Sequence, residues 1–527
     1  MPGIVTRRFR VHNAQQFHEA FSEAVDTNMY MFIGRITPWP DEANPPTPSD
    51  SVTQTRFESW RSMLGTKKIP SGDITFACER NNWTTGTVYA EYDDTDTTLY
   101  ANNFFVMTED YNVYKCLYNA KGGTSTVKPT GTATTISTTS DGYKWKFMYN
   151  ISTADALKFI TTNFIPVKTL TANDGSVQWT VQQAASNGTI DIVDVTTNGT
   201  GYVGDIGTAQ AGASGTITLQ SGASATDDIY VNSAVYTTGG TGSGQLRTIV
   251  DYCGTTKVAT VDSSFSPAPD NTTTYVVGPK ITINGDGTST ATAYANVESG
   301  AVNQISLINV GANYSEANVA ISANSSHGAG AVAAPRIPPP DGHGSDPVGE
   351  LAGHNVIMNV KLTGDEANTL PVTNDFRTIG LIKDPLIAAG TEANSTNYDT
   401  TTRLTLSSVS GTWTSDELIK GGTSLANGRM VKYSNTVAGG FGATTGMMHL
   451  IDVEGTFETA ETVTGNASTT TATVSSITYG DLKKYSGDVI YVENRPAIAR
   501  SSDQIEDIKL VVKFSYLKPI TSPDVVR

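Results

Sequence analysis

The stretch NGTIDIVDVTTNGTGY, residues 187–202, returns in altered form as SGAVNQISLINVGANY, residues 299–314. The two align without gaps. Gly188, Ile190, Val193, Val195, Gly199 and Tyr202 meet Gly300, Val302, Ile305, Leu307, Gly311 and Tyr314. Alternating apolar residues between glycines at fixed offsets mean a strand flanked by turns. The surrounding chain, from about 170 to 340, is rich in Gly, Thr, Ser, Asn and Ala and poor in charge. Such composition can signal disorder. Here the alternation survives and the segment repeats, so the reading is paired small β-modules with 227–277 lodged between them.

Working outward, a second duplication appears. SGTWTSDELIKGGTS (410–424) matches EGTFETAETVTGNAS (454–468). Gly411, Trp413, Glu417, Ile419, Gly421 and Ser424 meet Gly455, Phe457, Glu461, Val463, Gly465 and Ser468. Duplicated hairpins explain the pattern, and neither repeat has the count of a solenoid or propeller. Between the duplications lies RIPPPDGHGSDPVGELAGHN (336–355), a Pro/Gly linker that re-enters ordered structure at VIMNVKL (356–362).

Bulk composition agrees. The chain has 527 residues, enough for several domains with their own cores, and is 38% hydrophobic but only 16% charged. That mix favours turn-rich β structure over helix bundles. The expected fold is mainly β: β-sandwich and β-barrel-like modules with a few short helices. With 51 acidic and 35 basic residues the formal net charge is −16, which argues against nucleic acid or an anionic membrane as partner. The three cysteines are scattered and lack C-x-x-C spacing, so neither a disulfide framework nor a zinc site is indicated. No apolar run approaches the ~18 residues of a membrane helix, and MPGIVTRRFRVH lacks the apolar core of a secretory signal. A soluble protein made in a reducing compartment is the expectation.

Helix is predicted after Asn13, with Asn13 as cap and Phe17, Ala20, Phe21 and Ala24 at helical spacing. MYMFIGR (29–35) is β-prone, and the five prolines of TPWPDEANPPTPSD (37–50) impose an extended arm. WRSMLGTKK (60–68) reads as a short helix ended by Gly65, and ADALKFI (154–160) as another. The runs ITFA, TVYAEY, NNFFVM, NVYKCLY and YKWKFMY between 74 and 150 read as strands.

Active-site patterns are missing. Asp341, His343, Asp346, Glu350 and His354 are the densest set of potential metal ligands, but they lie in a Pro/Gly loop without the close spacing metal sites use, and a rigid linker is the simpler reading. Asp93, Asp94 and Asp96 suit a turn. Glu417 and Glu461 are isolated acids, whereas a glycosidase needs two facing carboxylates. No G-x-S-x-G elbow and no phosphate loop occur, and GTGSGQ (240–245) has neither a closing Lys nor a following helix. Trp179, Trp413 and Phe457, read as lying on Thr-rich strands, are either a sugar-stacking platform or module core. No cofactor is called for, and the expectation is that the chain is not an enzyme.

Several segments, taken in order, resemble one family. MFIGRITPWPDEANPPTPSDSV (31–52) has an F-x-G-R-x-x-P-W strand followed by a Pro-rich arm; VYKCL (113–117) and DGYKWKFMYNI (141–151) follow; FRTIGLIKDPL (376–386) and GDVIYVENRPAIARSSDQIEDIKLVVKF (487–514) complete the set. Together they resemble the baseplate wedge subunit called gene product eight of T-even-like contractile-tailed phages. On that resemblance 1–170, 341–400 and 481–527 are scaffold, while 171–340 and 401–480 are inserted β-modules.

The resemblance implies a non-catalytic virion protein of the tail baseplate, assembled in the host cytoplasm. It implies a homodimer that links neighbouring wedge proteins during assembly and the rearrangement on infection. The alternative is a receptor- or glycan-binding tail protein that uses the inserted modules. Interface or scaffold-joint residues are expected in the arm (Arg35, Pro38, Trp39) and near the C-terminus (Glu493, Asn494, Arg495, Pro496, Asp503, Gln504, Glu506). For Trp39 two roles stand open, anchoring a partner or packing within its own domain. In the C-terminal stretch Val489–Val492 is expected as one strand that Pro496 ends, and 508–514 as another with one apolar face.

Overall fold

A computed structural model describes residues 6–23, 27–51, 53–322, 327–362, 374–435, 444–501 and 506–514. The protein is mainly β, with a few short helices, and divides into two compact units.

The first unit takes Met1–Cys78, Ala154–Pro166 and His354–Arg527. One of its sheets runs Met63–Lys68, Met29–Gly34, Phe376–Lys383, Asp488–Ile498 in spatial order; another runs Glu506–Lys513, Asn355–Leu362, Ile74–Glu79, Phe164–Val167. The strand MYMFIG is buried along its whole length because both faces are covered. Its odd members Met29, Met31 and Ile33 share a core with Val356, Met358, Val360 and Leu510 of the other sheet, which makes a sandwich. Tyr30 and Phe32 point the other way, against Trp60, Met63 and Ile382. Period-two alternation thus serves two cores at once.

The same unit carries a closed six-stranded barrel, in the order Thr402–Ser407, Gly446–Glu454, Asn427–Ser434, Leu418–Gly421, Thr462–Gly465, Thr471–Tyr479. Both copies of the second duplication build it. Trp413 and Phe457, the paired aromatics, are buried in its core beside Ile419, Leu450 and Val463.

The second unit comprises Glu79–Thr153 and Val167–Gly353. A four-stranded sheet, Phe105–Met107, Asn112–Asn119, Tyr143–Asn150, Ser137–Thr138, packs Tyr89, Tyr143 and Trp145. A longer path of strands follows, in which the twelve-residue strand Thr274–Gly285 pairs Ser233–Gly239 at one end and Ala317–Ser322 at the other. The two halves of the first duplication share one core. Tyr202 and Tyr314 occupy matching places in it, each with its ring against the glycine three residues earlier, Gly199 (φ +64°) or Gly311 (φ +65°). Each hydroxyl accepts a backbone N–H, from Ala331 (3.2 Å) and Ala291 (3.0 Å) respectively.

Five local expectations change. The first helix is Arg7–Glu19, capped by the Thr6 hydroxyl, which accepts from Phe9 N–H; Asn13 lies in its interior. Residues 60–68 divide into the end of helix Gln54–Ser62 and the strand Met63–Lys68, whose ladder with Met29–Gly34 overrides the Gly65 stop signal. The run 87–92 makes a single bridge, Thr87 to Ser125, in place of a strand. Trp179 lies on the helix Val177–Gln183, where Ser176 caps it by accepting from Trp179 N–H. Pro496 does not end its strand, which runs on to Ile498 through a bulge opposite Phe376–Thr378, on the sheet edge where a missing N–H is tolerated.

Candidate functional site: the proline-rich arm on the C-terminal edge strand

Gly34 closes the strand Met29–Gly34 where the backbone passes the end of helix Gln54–Ser62; a Cβ there would stand 2.8 Å from Ser62 O. Arg35 follows with a left-handed backbone (φ +56°) and donates its N–H to Ser62 O at 2.9 Å. That turn sends the chain into the arm and stacks the Arg35 guanidinium on Trp39, 3.7 Å from the ring centroid.

The arm is held by one carboxylate. Glu42 Oε1 accepts from Trp39 N–H (2.8 Å) and Arg377 Nε (2.7 Å), and Oε2 accepts from Ala497 N–H (3.2 Å). The hydrogen bond from Arg377, against the opposing effect of desolvation, holds the Glu42 carboxyl below the usual range. Arg377 is itself buried and donates Nη1 to Ile36 O at 2.7 Å.

Further ties reach the edge strand directly. Trp39 Nε1 donates to Arg495 O (2.8 Å), and Asn494 Nδ2 donates to Pro46 O (2.8 Å). Asn494 Oδ1 accepts from Thr378 Oγ1 at 3.3 Å. A sheet edge with unpaired backbone groups invites pairing with other chains. Here the arm lies along that edge and takes up some of those groups.

Of the expected site residues, Arg35, Pro38, Trp39, Asn494 and Arg495 come together, with Pro38 O accepting weakly from Arg35 Nη2 (3.4 Å). Pro496 is exposed in the bulge. Arg495 joins through its carbonyl; its guanidinium is half exposed, 3.5 Å from Glu493 Oε1. Glu493 also accepts from Tyr491 OH (2.8 Å), and burial together with that acceptor pushes the Tyr491 phenol up. Glu506 sits on the other sheet and pairs with buried Arg500 at 3.3 Å. Asp503 and Gln504 lie outside the described residues.

Glu42 and Arg377, the two side chains that fasten the arm, escaped the sequence reading. A faint signal existed, since Glu42 stands three residues after Trp39, the spacing at which a carboxylate accepts a turn N–H. Three of the five potential metal ligands have other occupations. Glu350 pairs with Lys115, Asp346 Oδ1 accepts from Thr169, and the His343 ring meets Tyr92 edge-on at 4.8 Å. Among the described residues no group of three or more His, Cys, Asp or Glu is placed to hold a metal. No described helix is long and apolar enough to cross a membrane.

Sandwich, barrel and a clasped arm make up a mainly β-protein. Residues 3–120 match the family Phage-Gp8, described as Bacteriophage T4, Gp8, and that segment of the chain is similar to the family. The match spans under a quarter of the 527 residues and contains the whole arm. No curated protein matches the chain.

Proposed function

We propose that this protein is a scaffold subunit of the baseplate wedge, dimerising and linking neighbouring wedge proteins as the baseplate assembles and rearranges. The observation that carries this reading is the Phage-Gp8 match over residues 3–120, the segment that contains the clasped arm. Pre-set proline dihedrals make such an arm a low-entropy docking surface, and the site residues gathered there, Arg35, Trp39 and Asn494, are the ones proposed to face a partner. Virion assembly then takes place in the host cytoplasm.

The test is the position of the chain in the intact virion, together with the mass of the purified protein in sedimentation. Density within the wedge and a dimer in solution are the expected results. Density at a fibre tip would overturn the reading in favour of receptor or glycan binding by the inserted modules.

A further inference from the structure

Between the arm, the helix Gln54–Ser62 and the strand Asp488–Ile498 lies a cavity of about 240 Å³, whose lining includes Arg35, Trp39, Thr47, Thr55, Glu58 and Asn494. We propose that this cavity is a binding site for an acidic side chain, Asp or Glu, carried on an extended segment of a neighbouring baseplate subunit.

Arg35 is the reason for the charge. Its Nε is buried without a hydrogen-bond partner, and the one acceptor its side chain meets among the described residues is Pro38 O, at 3.4 Å. A guanidinium carries five N–H donors in a fork that fits a carboxylate. The acids whose fields reach Arg35 are Asp452, Glu42 and Glu58, and the like charge is Arg377; among the described residues none of the three acids stands within ion-pair distance of Arg35. Glu42 is committed to Arg377, and Glu58 Oε1 accepts from the Gln54 amide at 2.8 Å. Desolvation, the largest influence, disfavours the charge on Arg35, so an incoming carboxylate would relieve a cost already present.

The backbone argues the same way. Arg35 holds a left-handed conformation that L-residues rarely adopt, and such strain persists where a side chain must be aimed. Trp39 lies under the guanidinium and fixes its plane. The volume falls below the roughly 300–1,000 Å³ of small-molecule pockets, which suits one side chain with its peptide unit better than a cofactor. The hydroxyl of Thr47 and the carboxylate of Glu58 line the cavity where the peptide groups of an extended segment would lie, while the Thr55 hydroxyl is engaged by Ser49 O and Ser51 N–H.

The identity of the partner rests on the scaffold reading; the ligand chemistry does not. The test uses the full chain and two blocked tripeptides, acetyl-Ala-Glu-Ala-amide and its Gln counterpart, in ligand-observed saturation-transfer NMR. The Glu peptide should bind more tightly than the Gln peptide, and Arg35→Gln should weaken it by at least about tenfold, the size of a charge-assisted hydrogen bond. Thr47→Trp, which fills the cavity from an exposed position and leaves Arg35 in place, should weaken it similarly. Equal binding of the two peptides, or unchanged binding in Thr47→Trp, overturns the proposal. Preferential binding of acetyl-Ala-Lys-Ala-amide also overturns it, since Glu58 would then be the anchor. Virion density that places the chain outside the baseplate would overturn the scaffold reading and leave the peptide result standing.

Discussion

Glu417 reaches across the barrel to Ser468, a residue of the other repeat, accepting from its N–H at 2.9 Å and its hydroxyl at 2.7 Å. Glu461 returns the contact to Ser424, from N–H at 3.0 Å and from the hydroxyl at 2.9 Å. Each glutamate also accepts from the N–H three residues before it, Thr414 or Glu458. Glycine completes each cradle, because a Cβ at Gly421 would stand 2.6 Å from Glu461 Oε2, and one at Gly465 2.6 Å from the Ser468 hydroxyl. Burial opposes ionisation, yet these hydrogen bonds win and hold both carboxyls below the usual range.

Removing either brace therefore strands several buried N–H donors. Glu417→Ala and Glu461→Ala should each cost about 3 kcal/mol, with similar losses because the environments are near copies. Chemical denaturation of the two variants checks this; a loss confined to one would show that the pseudo-symmetry is not energetic. The folded carboxyls titrate below their unfolded values. This contribution is therefore full above the unfolded pKa and lost as pH falls toward the folded one.

Arg377 and Arg495 should behave differently although both belong to the arm joint. Arg377→Ala leaves the Ile36 carbonyl unpaired, a cost of about 1–3 kcal/mol, and frees Glu42 from its buried partner. The arm should then become a cleavage site in limited proteolysis, between residues 37 and 50. Arg495→Ala should shift the melting temperature little, because its carbonyl carries the contact and its exposed ion pair is worth little. A protected arm in Arg377→Ala would show that Trp39 and Asn494 suffice.

The architecture was legible where residues act within one strand or one turn. MYMFIG reads as a strand from β propensity, and Gly199 with Tyr202 reads as the twin of Gly311 with Tyr314 because ring and glycine are three residues apart. The duplication also marked Glu417 and Glu461 as a pair. Their purpose was hidden, since each serves a loop 37 to 51 residues away. Glu42 and Arg377 were missed for the same reason, being 335 residues apart. Local signals also lost to pairing: Gly65 and Pro496 both read as stops, and ladder hydrogen bonds to neighbouring strands carry the chain through each. Trp179 failed in the opposite sense, as a residue in Thr-rich surroundings that a Ser176 cap turns into helix.

Lys115 and Glu350 form an ion pair whose side chains are 0% and 2% exposed. Glu350 Oε1 also accepts from Gly344 N–H (2.7 Å) and Asp346 N–H (3.2 Å), while the Lys115 ammonium stands 4.8 Å over the Tyr92 ring. Lys115→Met leaves the carboxylate buried and uncompensated, at a cost of about 3–5 kcal/mol. Adding Glu350→Gln removes that stranded charge while keeping an acceptor for both N–H groups. The double variant should therefore be more stable than Lys115→Met alone. Equal stability of single and double variants in urea melts would mean that the carboxylate finds another partner, such as Lys146 or water, once Lys115 is gone.

His449 offers a pH test in the barrel. Its Nδ1 lies 2.9 Å from Thr401 Oγ1, and that hydroxyl donates to Asp399 Oδ1 at 2.7 Å, so the ring nitrogen is the donor of the first bond. Burial, with Lys432 and Arg403 adding to it, lowers the imidazole pKa from 6.5 to about 4. As pH falls through 6.5 the unfolded chain takes up a proton that the folded one refuses until about 4. Stability is thus complete above 6.5 and declines below it, by at most about 3 kcal/mol at the acid end. Asp399 acts in the opposite sense, since burial raises its pKa and its protonated folded form is lost as pH rises. A comparison of variants separates the two. His449→Gln can still donate to Thr401 and does not titrate, so its melting temperature should fall less steeply than wild type between pH 6.5 and about 5. Parallel curves would assign the acid sensitivity of the barrel to its carboxylates.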